Sequence, residues 1–119
     1  MRGIKASQIK DKVKELFLKA NYHIDQDLMK LLQQAQRKET SPIGKSVLNM
    51  IIENNQIASS EEIAICQDTG LSVLFIELGQ EVQLTDGNFI EAINQGVKEA
   101  YQEGYLRKSV VDDPVFERK

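Results

Sequence analysis

Cys66-Gln67-Asp68-Thr69-Gly70 places a thiol, an amide, a carboxylate, a hydroxyl and a glycine in five consecutive residues. Apolar Ile63-Ala64-Ile65 runs into this stretch and Leu71 to Leu78 leads out of it. Polar groups at the junction of two apolar runs can be fixed on rigid elements and aimed into a cavity. Three chemistries compete for Cys66. A thiolate nucleophile needs a base, and His23, the sole histidine, is remote in sequence and sits in a break between helices. A zinc site from Cys66, Asp68 and His23 would be a mixed set of no familiar spacing. An iron–sulfur cluster wants several thiolates, and the chain has a single cysteine. Taken alone, none of the three is complete. The plain alternative is a small buried hydrophobe at a strand end. Gln67 and Asp68 weigh against it, because polar groups inside a strand pair must be satisfied or used. A local turn would satisfy them, with Asp68 accepting backbone amides and Gly70 at positive φ.

The elements that must position this stretch can be read from periodicity. Ile9, Val13, Leu16, Phe17 and Ala20 recur at helical spacing from Ser7, a fair N-cap, to about Asn21. Asp25 caps a second helix with Leu28, Leu31, Leu32 and Ala35 on one face; the polar run Gln33 to Thr40 closes it. Ser41-Pro42 reads as a cap with proline at the first helical position, opening a third helix over Ile43, Val47, Leu48, Ile51 and Ile52 that fades at Glu53-Asn54-Asn55. Leu71 to Leu78 predicts a strand buried on both faces. Gly79-Gln80 suits a type II′ turn, and Glu81 to Leu84 alternates like a return strand, so a β-hairpin over 71–84 is expected. Thr85-Asp86-Gly87 signals a last helix with Phe89, Ile90, Ile93, Val97, Ala100 and Tyr101 inward and Gly104 at its end. The expected fold is a single α+β domain over 1–119, mostly helical and packed on a small sheet containing that hairpin.

Composition narrows the class. With 119 residues, 41% hydrophobic and 28% charged, the chain can close a core without staples. A net charge of −3 with both signs scattered disfavours nucleic acid and anionic membranes as partners. No apolar run reaches the roughly 20 residues of a membrane span. The N-terminus lacks an apolar signal core, and one cysteine makes no internal disulfide, so a reducing cytoplasm is expected.

Cys66-Gln67-Asp68-Thr69-Gly70 and its hydrophobic strand are followed by two further stretches, Glu91 to Val97 and Tyr105-Leu106-Arg107-Lys108-Ser109-Val110-Val111-Asp112-Asp113-Pro114. Together they resemble the class I fumarate hydratase family, and more narrowly the N-terminal part of the α subunit of two-subunit fumarases and L-tartrate dehydratases. The match spreads over most of the chain and is densest from Cys66 to Pro114. The resemblance implies a hydro-lyase acting reversibly on a four-carbon dicarboxylate, fumarate to malate, with L-tartrate as the alternative substrate. It implies a [4Fe–4S] cluster held by three cysteines, whose open iron is a Lewis acid toward the substrate hydroxyl. Cys66 would be one of those ligands. Gln67 and Asp68 would face the substrate, with Asp68 in proton transfer, and Arg107 would clamp a carboxylate. The resemblance implies α subunits roughly twice this length, with two further cysteines beyond the point matching Lys119. The chain therefore reads as a fragment, inactive alone, needing the rest of the α subunit and a β subunit, and prone to self-association. A rival reading from another class is a non-catalytic helical interaction domain that keeps the motif as a fold remnant.

Overall fold

A computed structural model describes residues 2–111 and 115–116; the Asp112-Asp113-Pro114 end of the last motif lies outside the described residues. The order of elements is β1 (Arg2–Lys5), α1 (Ala6–Tyr22), α2 (Gln26–Lys38), α3 (Pro42–Glu61), β2 (Val82–Thr85) and α4 (Phe89–Glu103). The expected α+β class with helices predominating holds. The chain divides into two compact units, Met1–Leu18 with Cys66–Lys119, and Lys19–Ile65.

In the first unit β1 and β2 pair in parallel, Arg2 opposite Val82 through Lys5 opposite Thr85. This corrects the hairpin. A hairpin is antiparallel by construction, whereas parallel partners require a long crossover, here everything between Lys5 and Val82. Gly79 still turns the chain, its carbonyl accepting from Val82 N–H at 3.2 Å. The run 71–78, however, forms no strand, and of its apolar side chains Leu74 alone is half-buried while the others are exposed, Phe75 almost completely at 96%. Burial on both faces needs neighbours on both faces, and the described residues cover the run only in part. β1 has only one half-buried position, Ile4, so no alternation announced it.

The helix caps follow from local chemistry. Asp25 accepts from Asp27 N–H, and Ser41 accepts from Gly44 N–H with Pro42 at the first position of α3. At α1 the expected cap shifts: the helix starts at Ala6, one residue before Ser7, and Gln8 Oε1 accepts from Lys5 N–H at 3.0 Å. The third helix does not fade at Asn54-Asn55 but runs to Glu61, with Ile52, Asn55 and Ala58 buried. Asn55 is absorbed into the helix because its side-chain amide donates to the carbonyl of Ile51 at 2.8 Å. In this second unit α2 packs on α3, and Gln36 hydrogen-bonds Asn49. Asn54 Nδ2 donates to Ile65 O, and Ile65 N–H to Asn21 O, which fixes the segment leading to the motif.

Within the first unit α1 and α4 approach closely. A Cβ on Gly96 would sit 2.6 Å from the Lys10 carbonyl oxygen and 2.9 Å from Val13 Cβ. Ala6, Val13, Ala92, Ala100 and Leu106 are the buried apolar residues of this unit. Lys10–Glu99 and Lys14–Glu103 pairs, at 3.4 and 3.2 Å, flank the seam, and Lys14 is held above its usual range chiefly by its hydrogen bond to Glu103. Such part-exposed pairs add little on their own. Gly87, at φ +143, lets the chain pass Ala6, where an added Cβ would meet the Ala6 methyl at 2.7 Å.

The Gly96 seam generates a stability prediction. Gly96→Ala should cost about 1–3 kcal/mol, because backbone on α1 must move to admit the methyl. Gly79→Ala, whose Cβ meets only Val82 Cγ2 at an ordinary 3.5 Å, should change stability by less than about 1 kcal/mol. Urea midpoints of the two variants measure the contrast, and equal midpoints would refute a tight seam.

Candidate functional site

The motif loop is built from its own polar groups. Gly70 N–H donates to Asp68 Oδ1 at 3.0 Å, and Gly70 adopts φ +64. This is the Asx-type turn that the residue types allow. Nothing lies within 4 Å of a Cβ built on Gly70, so glycine is favoured there by backbone conformation and not by space. Cys66 Sγ donates to the Asp68 carbonyl at 3.3 Å, and the thiol is exposed. Cys66 is therefore not a buried strand-end hydrophobe.

A second segment is brought against this loop. α4 ends at Gly104, whose N–H donates to Ala100 O, but Gly104 itself stays right-handed at φ −86. The left-handed residue is Tyr105, at φ +53. Leu106 N–H then reaches back to Tyr101 O at 3.0 Å, and Leu106 is buried. This 6→1 closure with an apolar plug turns the chain and delivers Arg107 next to the motif. Thr69 Oγ1 donates to the Arg107 carbonyl. Ser109 Oγ lies 3.3 Å from the Gln67 carbonyl and 3.4 Å from that of Arg107. Tyr101 Oη, from α4, donates to the Thr69 carbonyl at 3.2 Å.

Cys66, Gln67, Asp68 and Arg107 thus belong to two segments of one compact unit, joined by hydroxyl-to-carbonyl hydrogen bonds. All four are exposed. His23 lies in the other unit, where Nδ1 hydrogen-bonds Ser59 Oγ at 2.8 Å and the ring stands edge-on to Tyr22. A cleft of about 350 Å³ adjoins the loop, lined by Gly70, Ser72, Asn94, Lys98, Tyr101 and Lys108 among others. A larger opening of about 540 Å³ between the starts of α1 and α4 is lined by Glu91, Asn94 and Gln95 of the second stretch but by no residue of the Cys66–Gly70 loop. The sequence marks Tyr101 only as part of the inward stripe of its helix, and it gives Thr69, Ser109, Lys98 and Lys108 no separate part in the site. No spacing rule links a threonine to a carbonyl 38 residues away.

As a metal-holding set the described residues are incomplete. They contain no group of three or more His, Cys, Asp or Glu side chains that could hold a metal ion. A cubane cluster bound by three thiolates cannot be carried by a chain with one cysteine. The donor chemistry of Cys66 suits one such ligand. It is exposed, and its weak S–H contact to the Asp68 carbonyl would be given up on conversion to thiolate.

Sequence comparison defines the class to which this site belongs. Residues 10–119 match the family described as fumarate hydratase (Fumerase), and the chain belongs to that family. A Methanocaldococcus jannaschii protein, provisionally described as L(+)-tartrate dehydratase subunit alpha, is 40% identical over 105 residues. That alignment covers 87% of this chain and 37% of the relative. The L(+)-tartrate dehydratase subunit alpha of Escherichia coli K12 is 31% identical over 86 residues, 72% of this chain and 28% of its own length. The Shigella boydii subunit alpha matches to the same extent. The chain therefore spans between 28% and 37% of the length of these curated relatives.

The loop geometry separates two roles of Asp68. Asp68→Ala removes the acceptor for Gly70 N–H, and amide hydrogen exchange at Gly70 should accelerate about five- to tenfold. Asp68→Asn retains an Oδ1 acceptor and should leave that exchange within about twofold. Equal rates in both variants would show that the Asx turn does not order the loop.

Proposed function

We propose that residues 1–119 are the N-terminal part of a hydro-lyase α subunit that adds or removes water at a four-carbon dicarboxylate, fumarate to malate. The observation that supports this best is the pinning of the Arg107 segment to the Cys66–Gly70 loop through Thr69 and Ser109. It joins the segments bearing a thiol, an amide, a carboxylate and a guanidinium. In this reading Cys66 is one of three thiolates for a [4Fe–4S] cluster, completed by cysteines from the rest of the α subunit. When bound, such a cluster supplies a Lewis-acidic iron for the substrate hydroxyl.

The chain's own residues do the rest. Arg107 clamps one substrate carboxylate through its planar donor fork. Gln67 supplies amide hydrogen bonds to the substrate. Asp68 gives one of its acceptor sites to Gly70 N–H, and its remaining lone pairs accept a hydrogen bond from the substrate hydroxyl or from the water that leaves or returns there. The family description names fumarate and the curated relatives are named for L(+)-tartrate, so L-tartrate dehydration is the second reading. The largely exposed run Leu71–Leu78 is, on this proposal, where the remainder of the α subunit packs, with a β subunit completing the substrate site; without them the chain is inactive and prone to self-associate.

Anaerobic iron–sulfide reconstitution of the full α subunit with its β partner tests the assignment. Wild type should gain cluster absorbance and turn over fumarate or L-tartrate, whereas Cys66→Ala should gain neither. Arg107→Lys should keep the cluster and raise KM on the order of 10- to 100-fold, since an ammonium cannot reproduce a bidentate contact. A Cys66→Ala enzyme that assembles its cluster and turns over normally would overturn the ligand role.

A further inference from the structure

We infer that Thr69 is a positioning residue for the Arg107 clamp, its hydroxyl tying the Arg107 main chain to the loop that carries Gln67 and Asp68. This rests on the reading of Arg107 as a carboxylate clamp. Thr69 is a junction. Its side chain donates to the Arg107 carbonyl, and its own carbonyl is held by Tyr101 Oη of α4 at 3.2 Å. α4 in turn is seated on α1 at Gly96. The clamp and the loop are therefore referred to the same helix pair through one residue.

Ser109 makes the second tie, and it is a divided one. Its hydroxyl lies at 3.3 and 3.4 Å from two carbonyls and has one proton, so it serves one of them at a time. Threonine also suits the task better than serine, because the β-branch restricts χ1 and keeps the hydroxyl aimed. The Arg107 side chain is exposed and long, so its reach toward a carboxylate depends on a fixed main chain. Loss of one hydrogen bond that only positions the clamp should weaken ground-state binding and spare the chemical step.

The test uses the reconstituted α and β complex, with KM and kcat for fumarate and L-tartrate and with calorimetric binding of succinate, a dicarboxylate with nothing to eliminate. Thr69→Val should raise KM and the succinate Kd about 3- to 10-fold, with kcat within about twofold. Thr69→Ser should recover most of the loss. In an Arg107→Ala background, Thr69→Val should add less than about twofold, because the group it positions is gone. If Thr69→Val does not assemble, Tyr101→Phe, which deletes the donor to the Thr69 carbonyl, carries the same expectation. A Thr69→Val loss that persists in full without Arg107, or a variant identical to wild type, would overturn the positioning role. An Arg107→Ala enzyme with unchanged KM and succinate Kd, or a wild type that binds no succinate, would instead remove the clamp reading itself.

Discussion

The contact at Gly96 is the constraint on which the motif-bearing unit depends. Only a residue without a side chain allows the α4 backbone to lie this close to the Lys10 carbonyl and to Val13. From that seam the geometry propagates along α4 by helical repetition. Ala92, Gly96 and Ala100 are all buried, at four-residue spacing, and Tyr101 follows on the adjoining face. Two small residues and a glycine in line fix how far α4 stands from α1. They thereby fix where Tyr101 Oη and the Tyr105–Leu106 turn arrive. The motif loop contributes no buried apolar side chain of its own. Its place is inherited from the helices.

Hydrogen bonds therefore take over at the loop the task that burial performs at the seam. Each is worth about 0.5–1.5 kcal/mol net. Those at the loop share a pattern: hydroxyl donors on main-chain carbonyls, and one amide donor on a carboxylate. Carbonyls held from behind leave the side chains of Gln67 and Arg107 exposed, while Asp68 gives one carboxylate oxygen to Gly70 N–H. A hydrophobic clamp would give more stability but would bury these polar and charged groups. The architecture exchanges strength for access.

The parts of this fold that local chemistry dictates were legible in the sequence. Asp25 and Ser41-Pro42 announce their helices because capping uses atoms within three residues. The Asx turn at Asp68 and Gly70 is local for the same reason. What depended on distant partners was not legible. The run 71–78 has the composition of an interior strand, yet β2 pairs with Arg2–Lys5, four residues that carry no strand pattern. Tyr105, not the glycine beside it, takes the left-handed turn, because burial of Leu106 and its N–H bond to Tyr101 O place that conformation one residue later. Asn54 and Asn55 look like a helix end, but both have carbonyl partners that keep them inside α3, Ile65 and Ile51 respectively. The link from Thr69 to Arg107 is the extreme case, since its two ends share no pattern at all.

Cys66 shows how exposure decides between roles that spacing leaves open. A lone free cysteine is most often a small apolar filler, and then its sulfur is buried and chemically inert. Here the sulfur is exposed, and its weak contact is to a carbonyl two residues on, which constrains it little. His23, in the other unit, has Ser59 and Tyr22 as neighbours there. An exposed thiol at the head of this loop accords with the proposal that Cys66 is one ligand of a group whose other ligands come from elsewhere. The family to which the chain belongs and its coverage of about a third of its relatives fit that division of labour. In such a division the loop's rigidity does not come from the ligated group, because the hydroxyl bonds and the Gly96 seam hold it within this chain alone.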